Sequence, residues 1–508
     1  MEWLLTWFTL LFVIILIKRK SRRLDVNLRP PGPRAWPIFG NIFDLGALPH
    51  QSLHKLKSKY GAVIWLRLGF INTLVIQSAK EAEQLFKNHD ILFSDRKIAD
   101  VFTAHNYYQG SLSLCRYGSN WRILRRLVTL GLMTSKKINE SVYVRRKCID
   151  KMIRFIEEDA AAARAKGESA EIVLSRYVFV MTFNLMGNLI FSKDLVDSHS
   201  EEGSEFFDAM DKVMNWSGKP NLADFMPYLK VFDPQRIRKN MEIELGRTMN
   251  VLEKFMKERI EDRKSTKERD AKDFLDTILE YESNGNGPDK ISTHNMLIII
   301  LEMFFGGTET TSGTTEWLMV ELFRSPEAMR KVKEELNRVV GPKRKVEESD
   351  LDELPYLQAI IKETMRLHPV IPLLIPRNTL EEIKFMKYVI PKDTQVFVNA
   401  WAIGRDPDTW EDPLCFRPER FLNSNIDYKG QNFELLPFGS GRRICAGMPL
   451  AHRILHLTVA SLLHCFDWEI DQNSAVEATD LKEKFGFTVR KLVRLRAIPK
   501  KKIISESE

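Results

Sequence analysis

One cysteine stands in a loop whose residue types suit a metal-binding thiolate. Residues 437–447 read PFGSGRRICAG, and an apolar helical pattern begins directly afterwards at Met448. Cys445 is therefore expected just before a helix, where free backbone N–H groups and the helix dipole stabilise a thiolate. The surrounding glycines, Gly439 and Gly447 among them, let a flat group approach the backbone closely.

The neighbours of Cys445 narrow the kind of metal site. No CxxC pair or nearby Cys/His set accompanies this residue, which argues against zinc and iron–sulfur clusters. Haem iron, in contrast, can take a single axial thiolate. Arg443 is a fixed cation that suits a haem propionate, and Phe438 could pack on a macrocycle face. The other four cysteines are expected only to pack, and an odd total argues against a disulfide framework: Cys115, Cys148, Cys415 and Cys465.

A second polar cluster interrupts an apolar helical pattern. Residues 306–311 read GGTETT in the middle of a helix predicted over 291–323. Glycine and threonine are poor formers of helix interiors, so either a function overrides propensity or the cluster makes a packing notch. The preceding apolar run, 296–305, contains Glu302 and is too short to cross a bilayer, which favours a buried core helix.

The elements that must position these residues are mainly helical. Periodicity predicts helices over 139–166, 172–192, 238–263, 291–323, 325–340 and 355–367. Strand-like runs are few, and they cover 62–77, 395–399 and 489–498. The pattern indicates a mainly α fold with a small segregated β-sheet.

The N-terminus is typical of a membrane anchor. Residues 3–17 are almost wholly apolar and are followed by five basic residues before position 24, which puts the body of the chain on the cytosolic side and the charges near lipid head groups. A cleaved signal peptide is the alternative. The sequence predicts an anchor with its basic flank over 1–23, a proline-rich hinge over 24–39 and a single domain over 40–508. For the hinge, a proline-rich partner-binding motif is the alternative.

Composition excludes several classes of protein. The chain has 508 residues, 44% hydrophobic and 28% charged, which excludes a disordered chain, a collagen-like fibre and a multi-span membrane protein. Length alone would suggest roughly three domains. The net charge of +8 is mild for this size and does not indicate nucleic acid as a partner.

The motifs together resemble the cytochrome P450 superfamily. The sequence FGSGRRICAG is similar to the haem-thiolate signature FxxGxRxCxG, and GGTETT is similar to the family's [A/G]Gx[D/E]T[T/S]. Three further matches stand in the family's order: WRILR at 121–125 for WxxxR, ETMR at 363–366 for ExxR, and FRPERF at 416–421 for FxPERF. ExxR also occurs elsewhere in the chain, where an exposed helical pair is expected.

This resemblance implies a cytochrome P450 fold with an N-terminal transmembrane anchor helix, and haem b (iron protoporphyrin IX) with Cys445 as its axial ligand. Thr310 would hydrogen-bond the bound dioxygen, and Glu309 would help to relay protons. The remaining roles are haem binding, by Trp121, Arg125, Arg377, Gly439, Phe438, Arg443 and Gly447, and a buried structural charge network of Glu363, Arg366 and Arg420.

A closer resemblance is to the plant microsomal branch of monoterpenoid hydroxylases and iridoid oxidases, carried by residues 88–90, 107–112 and 398–407. Family position implies an apolar substrate pocket lined by Val101, Phe102, Ile299, Phe305, Gly306, Val370, Leu374 and Phe485. The implied function is NADPH- and O₂-dependent oxidation of a small lipophilic metabolite, a monoterpenoid or iridoid. Alternatives are a haem-thiolate isomerase or dehydratase, an oxidase of phenylpropanoids, alkaloids or fatty acids, and a non-catalytic haem-binding membrane protein.

The implied redox partner is an NADPH–cytochrome P450 reductase, because the chain has no GxGxxG-type nicotinamide fingerprint of its own. Arg122, Arg126, Lys136 and Lys137 are candidates for docking it, with a solvated basic surface as the alternative. The implied location is the endoplasmic reticulum membrane, held by a single N-terminal anchor in contact with lipid, with the catalytic domain in the cytosol.

Overall fold

The computed structural model describes residues 28–196, 201–265, 272–284, 291–471 and 475–502. The predicted anchor and the first residues of the predicted hinge lie outside these ranges. The rest of the hinge is fixed to the body, since the Trp65 amide donates to the carbonyl of Pro31 at 2.9 Å. A side chain at Gly32 would overlap the Trp65 backbone, so this close approach requires glycine.

Helices make up most of the described chain. The α-helices are α1 (Pro49–Tyr60), α2 (Ala79–Glu83), α3 (Tyr107–Gly110), α4 (Ser119–Val128), α5 (Ser135–Glu140), α6 (Val142–Ala165), α7 (Leu174–Phe191), α8 (Glu201–Ser217), α9 (Leu222–Phe225), α10 (Ile237–Ser265), α11 (Phe274–Asn284), α12 (Thr293–Arg324), α13 (Pro326–Val339), α14 (Pro355–Leu367), α15 (Ala400–Ile403), α16 (Met448–Cys465) and α17 (Ala475–Thr479). The six helices predicted before residue 400 correspond to α6, α7, α10, α12, α13 and α14, whereas α1, α4 and α8 were not predicted.

Helix α12 runs without interruption through the GGTETT cluster. It begins after Ser292, whose side chain caps it by accepting from the Asn295 amide. Within the cluster each threonine hydroxyl donates to a carbonyl one turn earlier, as Thr310 does to Gly306 at 2.7 Å. These bonds satisfy the hydroxyls locally and keep the helix continuous despite poor propensity.

The strands form several small sheets, where the sequence predicted one. They are β1 (Val63–Leu68), β2 (Ile71–Ile76), β3 (Asp95–Arg96), β4 (Ile172–Val173), β5 (Arg377–Asn378), β6 (Ile383–Phe385), β7 (Tyr388–Ile390), β8 (Gln395–Val398), β9 (Phe466–Glu469), β10 (Glu483–Lys484), β11 (Arg490–Lys491) and β12 (Arg496–Lys501). The largest sheet has the order β1-β2-β8-β5-β3, in which β2 and β8 are parallel and the other pairs antiparallel. The predicted run 62–77 is a hairpin of β1 and β2.

The main apolar core surrounds α12, whose Ile298, Leu301 and Phe304 are completely buried. Helix α7 packs beside α12 in this core. Among the described residues it alone is long and apolar enough to cross a membrane, and 67% of that stretch is buried inside the protein. Such burial is typical of a core helix, so α12 and α7 together form the centre against which the site is built.

Candidate active site

The loop around Cys445 is held by its own backbone and by one carboxylate. The Cys445 amide donates to the Phe438 carbonyl at 3.0 Å, and α16 begins three residues after the cysteine. Gly441 has a φ of +69°, and a side chain there would overlap the Asp90 carboxylate. That carboxylate accepts from the Arg442 amide at 2.9 Å, so Asp90 fixes the turn before the cysteine.

The Cys445 thiol is accessible to solvent, although it lies deep within the fold. Burial raises its pKa, and three nearby groups oppose that effect: the amides of Gly447 and Met448 at the start of α16, and Arg125. The Arg125 guanidinium also donates to the Ile444 carbonyl at 2.7 Å, which ties α4 to the loop. An accessible sulfur with these donors around it can serve as a thiolate ligand.

Three buried arginines gather beside this loop. Strands β3 and β5 place Arg96 directly opposite Arg377, and both residues are about 4% exposed. Arg443 joins them, donating to the Ser94 and Cys115 carbonyls at 2.8 and 2.7 Å. Burial lowers the pKa of Arg377 and of Arg443 to about 10, and burial with Arg443 and Arg377 lowers the pKa of Arg96 well below its usual range.

This arrangement calls for an anionic ligand. Like charges directly opposite in a sheet destabilise it, and buried cations are costly unless they are paired. In the described chain, Asp90 lies 3.3 Å from Arg377, and Asp95 and Glu302 are the further carboxylates close enough to raise the pKa of Arg96. Two haem propionates would supply negative charge here, so the residues present fit a haem whose propionates these guanidiniums would bind.

The remaining predicted haem contacts lie around the same space. The Trp121 ring lies 4.5 Å from the Arg443 guanidinium, and its indole N–H donates to the Leu112 carbonyl. Gly439 adopts a φ of +69°, a conformation that favours glycine, and the ring of Phe438 packs on Tyr428 at 5.4 Å. Sequence reasoning did not single out Arg96, since it belongs to no motif and reaches the site only through the pairing of β3 with β5.

Helix α12 borders an open space at Gly306, within its polar cluster. A side chain placed at Gly306 would meet no atom within 4 Å, and Thr310 one turn later is half-buried. Burial raises the pKa of Glu309, while Thr488, Arg490 and Arg494 act in the opposite direction. A carboxyl of raised pKa can hold a proton and pass it on.

Aromatic rings from three segments converge beside Gly306. Phe487 contacts Phe305 edge-to-face at 4.5 Å and lies 6.2 Å from Phe102. The ring of Phe485, which is predicted to line the pocket, stacks on His50 at 6.2 Å, so its place in the pocket stays a prediction. Phe487 is therefore the aromatic residue of this hairpin that contacts α12.

The other predicted pocket residues divide into two groups. Val370 lies against α12, where its side chain would be 3.5 Å from a side chain at Gly313, and its carbonyl accepts from the Val489 amide. Val101 is 3% exposed and belongs to the main core with Phe102. Ile299 is completely buried in the core around α12, and its place in the pocket stays a prediction.

The ExxR residues form a closed charge network. Arg366 binds Glu363 through two parallel hydrogen bonds of 2.7 Å, and both side chains are fully buried. Arg420 donates to the same carboxylate at 3.1 Å, as does the Arg417 amide at 2.8 Å. Other hydrogen bonds of Arg366 reach the segment 404–415, so the network ties α14 to the chain that leads into the cysteine loop.

A cavity of about 420 Å³ lies elsewhere, between α6 and α7. Lys147, Phe155 and Tyr177 are among its lining residues, and no predicted haem or substrate contact is. The chemistry is therefore assigned to the space between α12 and the cysteine loop.

The predicted docking residues differ in their exposure and contacts. Arg122 is exposed, and the Arg126 guanidinium donates to the Tyr281 hydroxyl at 2.8 Å. Lys136 and Lys137 both lie within 4 Å of Glu140, at 3.9 and 3.4 Å.

Cys415 is exposed, so the prediction that it only packs is wrong.

An exposed group of large apolar side chains, called here the apolar face, is built from three distant segments. The Gly69 amide donates to Phe39, and the Phe70 amide donates to Phe225, both at 2.9 Å, so the segments are neighbours. The exposed residues are Trp36, Ile38, Phe39, Phe43, Phe70, Tyr228, Val231 and Phe232. Contiguous exposed apolar surface of this kind indicates contact with a membrane or a partner.

Comparison with known proteins gives a consistent family. The sequence model of the family described as "Cytochrome P450" matches residues 30–493. The chain is 54% identical to an iridoid oxidase of Catharanthus roseus, over 97% of this chain and 96% of the relative. It is 39% identical to a geraniol 8-hydroxylase of the same plant, over 98% and 99% of the two chains.

A solved structure shares the fold. A zebra fish cytochrome P450 with progesterone superimposes with a TM-score of 0.75 at 27% identity, covering 89% of this chain and 99% of the other.

Proposed function

Because the chain belongs to the cytochrome P450 family and is a monooxygenase of that family, we propose that it oxidises a monoterpenoid or an iridoid with O₂ and electrons from NADPH. The observation that carries the substrate class is the 54% identity with the iridoid oxidase along 97% of this chain. The pocket agrees with it, since Phe102, Phe305 and Phe487 offer apolar ring faces to a small lipophilic molecule.

Haem with a cysteine thiolate supplies the oxidising chemistry in this family. In this chain Cys445 would ligate its iron, and Arg96, Arg377 and Arg443 would bind its propionates. Thr310 provides a hydroxyl and Glu309 a carboxyl on the part of α12 next to Gly306, and both groups would serve the delivery of protons. The aromatic residues exclude water and orient the substrate.

Product analysis tests the substrate class. Microsomes containing the full chain and a reductase are supplied with NADPH and a panel of terpenoids, phenylpropanoids and fatty acids, and the products are identified by mass spectrometry. We expect oxygenated products from monoterpenoids or iridoids that require both NADPH and O₂. Turnover of only phenylpropanoids or only fatty acids would contradict the proposal.

The role of Cys445 has its own test. Cys445→Ala should abolish the thiolate-type band of the reduced carbon monoxide spectrum, because no thiolate would then reach the iron. Cys148→Ala is the matched control, since Cys148 is a buried cysteine on α6. A thiolate-type band retained in Cys445→Ala would overturn the ligand assignment.

A haem-thiolate isomerase or dehydratase is the second candidate function. Such an enzyme rearranges a peroxide and needs no external electrons or O₂. Thr310 and Glu309, which suit proton delivery, argue against it. Product formation from a peroxide substrate without NADPH would favour this alternative.

We also propose that residues 40–508 form one catalytic domain on the cytosolic side of the endoplasmic reticulum membrane. The apolar face supports this location, because it includes Trp36 and Phe43, which follow the proline-rich hinge. An NADPH–cytochrome P450 reductase is the proposed electron donor, with exposed Arg122 as a docking contact. That contact would be supported if the reductase reduced Arg122→Glu more slowly than the wild type, while dithionite reduced both proteins at the same rate.

A further inference from the structure

A buried carboxylate on α12 has no part in the chemistry above. Glu302 is 6% exposed and lies two turns before Thr310 on the same helix. It accepts hydrogen bonds from the Ser111 hydroxyl at 2.7 Å and the Ser113 amide at 2.9 Å, and further ones from the Leu112 amide and the Ser113 hydroxyl. All of these groups donate, so the ionised carboxylate satisfies every contact.

The opposite side of the same loop binds the haem-site cations. The Leu112 carbonyl accepts from the Trp121 indole at 3.1 Å and from Arg443 at 3.3 Å. The Ser113 carbonyl accepts from Arg96 at 2.8 Å.

A single peptide unit therefore connects Glu302 to the cations. The Leu112 carbonyl and the Ser113 amide belong to one planar group, which carries Glu302 at its N–H end and Arg443 with Trp121 at its oxygen end. An anion that accepts from the N–H polarises the peptide group, which increases the negative charge on the carbonyl oxygen. The carbonyl then holds the guanidinium more firmly than an ordinary amide would.

We propose that Glu302 is a positioning residue of the haem site, which orients Arg443, Trp121 and Arg96 through the backbone of residues 112–113 and contributes negative charge to the potential at the haem. The proposal rests on haem binding at Cys445. It gives α12 a second task besides the one at Thr310, because the same helix then controls both the oxygen side and the propionate side of the cofactor.

The chain contains a matched control on the same helix. Glu316 is also buried and accepts from the Ser175 hydroxyl at 3.0 Å, the Leu495 amide at 2.9 Å and the Arg494 guanidinium at 2.8 Å. These partners belong to α7 and to the segment before β12. Within the described part of the chain, none of them is hydrogen-bonded to Arg96 or Arg443.

The test is a measurement of the ferric/ferrous midpoint potential of the haem-loaded full chain by spectroelectrochemical titration. Glu302→Gln removes one negative charge, which destabilises the ferric state relative to the ferrous state. We expect a positive shift for Glu302→Gln and a clearly smaller one for Glu316→Gln, although both variants lose one negative charge and buried hydrogen bonds. Equal shifts in the two variants, or none in either, would overturn the proposal.

A milder variant covers the case in which Glu302→Gln does not retain haem. Ser113→Ala keeps the carboxylate and the peptide unit but removes one hydroxyl donor, so the charge of Glu302 is less neutralised. We expect its midpoint potential to move in the negative direction, and a positive shift or no shift would count against an electrostatic role. The reduced carbon monoxide spectrum, recorded in parallel, shows whether the thiolate ligand is still bound.

Discussion

Replacing Arg366 by alanine should prevent the chain from holding a stable haem-binding fold. Every N–H of this guanidinium has an acceptor in the structure. Two are the oxygens of Glu363, and the others are backbone carbonyls of Gly404, Pro413 and Cys415. The side chain is completely enclosed, so water cannot replace these bonds.

The size of the effect follows from what remains after truncation. Removing one partner of a buried ion pair costs about 3–5 kcal/mol, because the other charge is left without compensation. Each buried carbonyl that loses its donor adds about 1–3 kcal/mol, although such contributions are not additive. The loss therefore exceeds about 5 kcal/mol, which reaches the lower end of the total stability of about 5–15 kcal/mol common for folded proteins.

The assay compares two pairs with the same spacing. Glu327 and Arg330 on α13 form an i,i+3 ion pair of 2.7 Å, as close as that of Glu363 and Arg366, but in an exposed position. Thermal unfolding and the reduced carbon monoxide spectrum are measured for Arg366→Ala, Arg366→Lys and Arg330→Ala. We expect Arg366→Ala to lose the spectrum and Arg330→Ala to match the parent chain.

Lysine keeps the charge but lacks the planar fork, so Arg366→Lys should fall between the two. An Arg366→Ala chain with the parent's melting temperature and a full thiolate-type spectrum would refute the reasoning, since it would show that the enclosed network contributes little. Equal losses in Arg366→Ala and Arg330→Ala would refute the part that depends on burial.

Three further outcomes are expected. In nanodiscs made of lipids with brominated tails, the bromine atoms should quench the fluorescence of Trp36. Trp36→Phe should therefore reduce the quenching of the full chain, whereas Trp317→Phe should not, because Trp317 lies in the core. Burial raises the pKa of Asp224 from 3.8 to about 6, so the stability that its protonated form contributes is lost as pH rises from about 4 to about 6. Asp224→Asn should flatten that loss in melting temperatures measured from about pH 4 to about pH 7. Phe487→Ala should change the product distribution seen by mass spectrometry, whereas Phe485→Ala should lower the melting temperature with the product distribution unchanged.

The sequence predicted those parts of the site in which a functional residue and the backbone that positions it are close together in the chain. The cysteine, its glycines and the helix that follows occupy residues 437–448, so their spacing alone carries the geometry. Glu363 and Arg366 likewise lie one helical turn apart. Arg96 and Glu302 were not recognised as site residues, because each acts through partners far away in the sequence, on β5 and in the loop 111–113.

The fold shows the same division. Long helices with a clear apolar period, such as α7 and α12, were predicted within a few residues of their ends. Helices α1 and α8 lacked a recognised signal, and packing against neighbours decides their conformation. Phe485 and Phe487 share an apolar hairpin tip, where no period separates the residue that faces α12 from the one that faces His50.

The parallel pairing of β2 with β8 has a consequence for how the protein is made. Thr73 and Gln395, which face each other in this pair, are 322 residues apart. A ribosome adds about 5–20 residues per second, so roughly 16 to 64 s separate the emergence of the two strands. During that time the nascent chain carries the β1–β2 hairpin with one edge unpaired and with Leu74 and Ile76 uncovered, although both are completely buried in the finished sheet. Until β8 has been made, this edge is open to pairing with another chain, so the interval is one in which the nascent protein is exposed to aggregation.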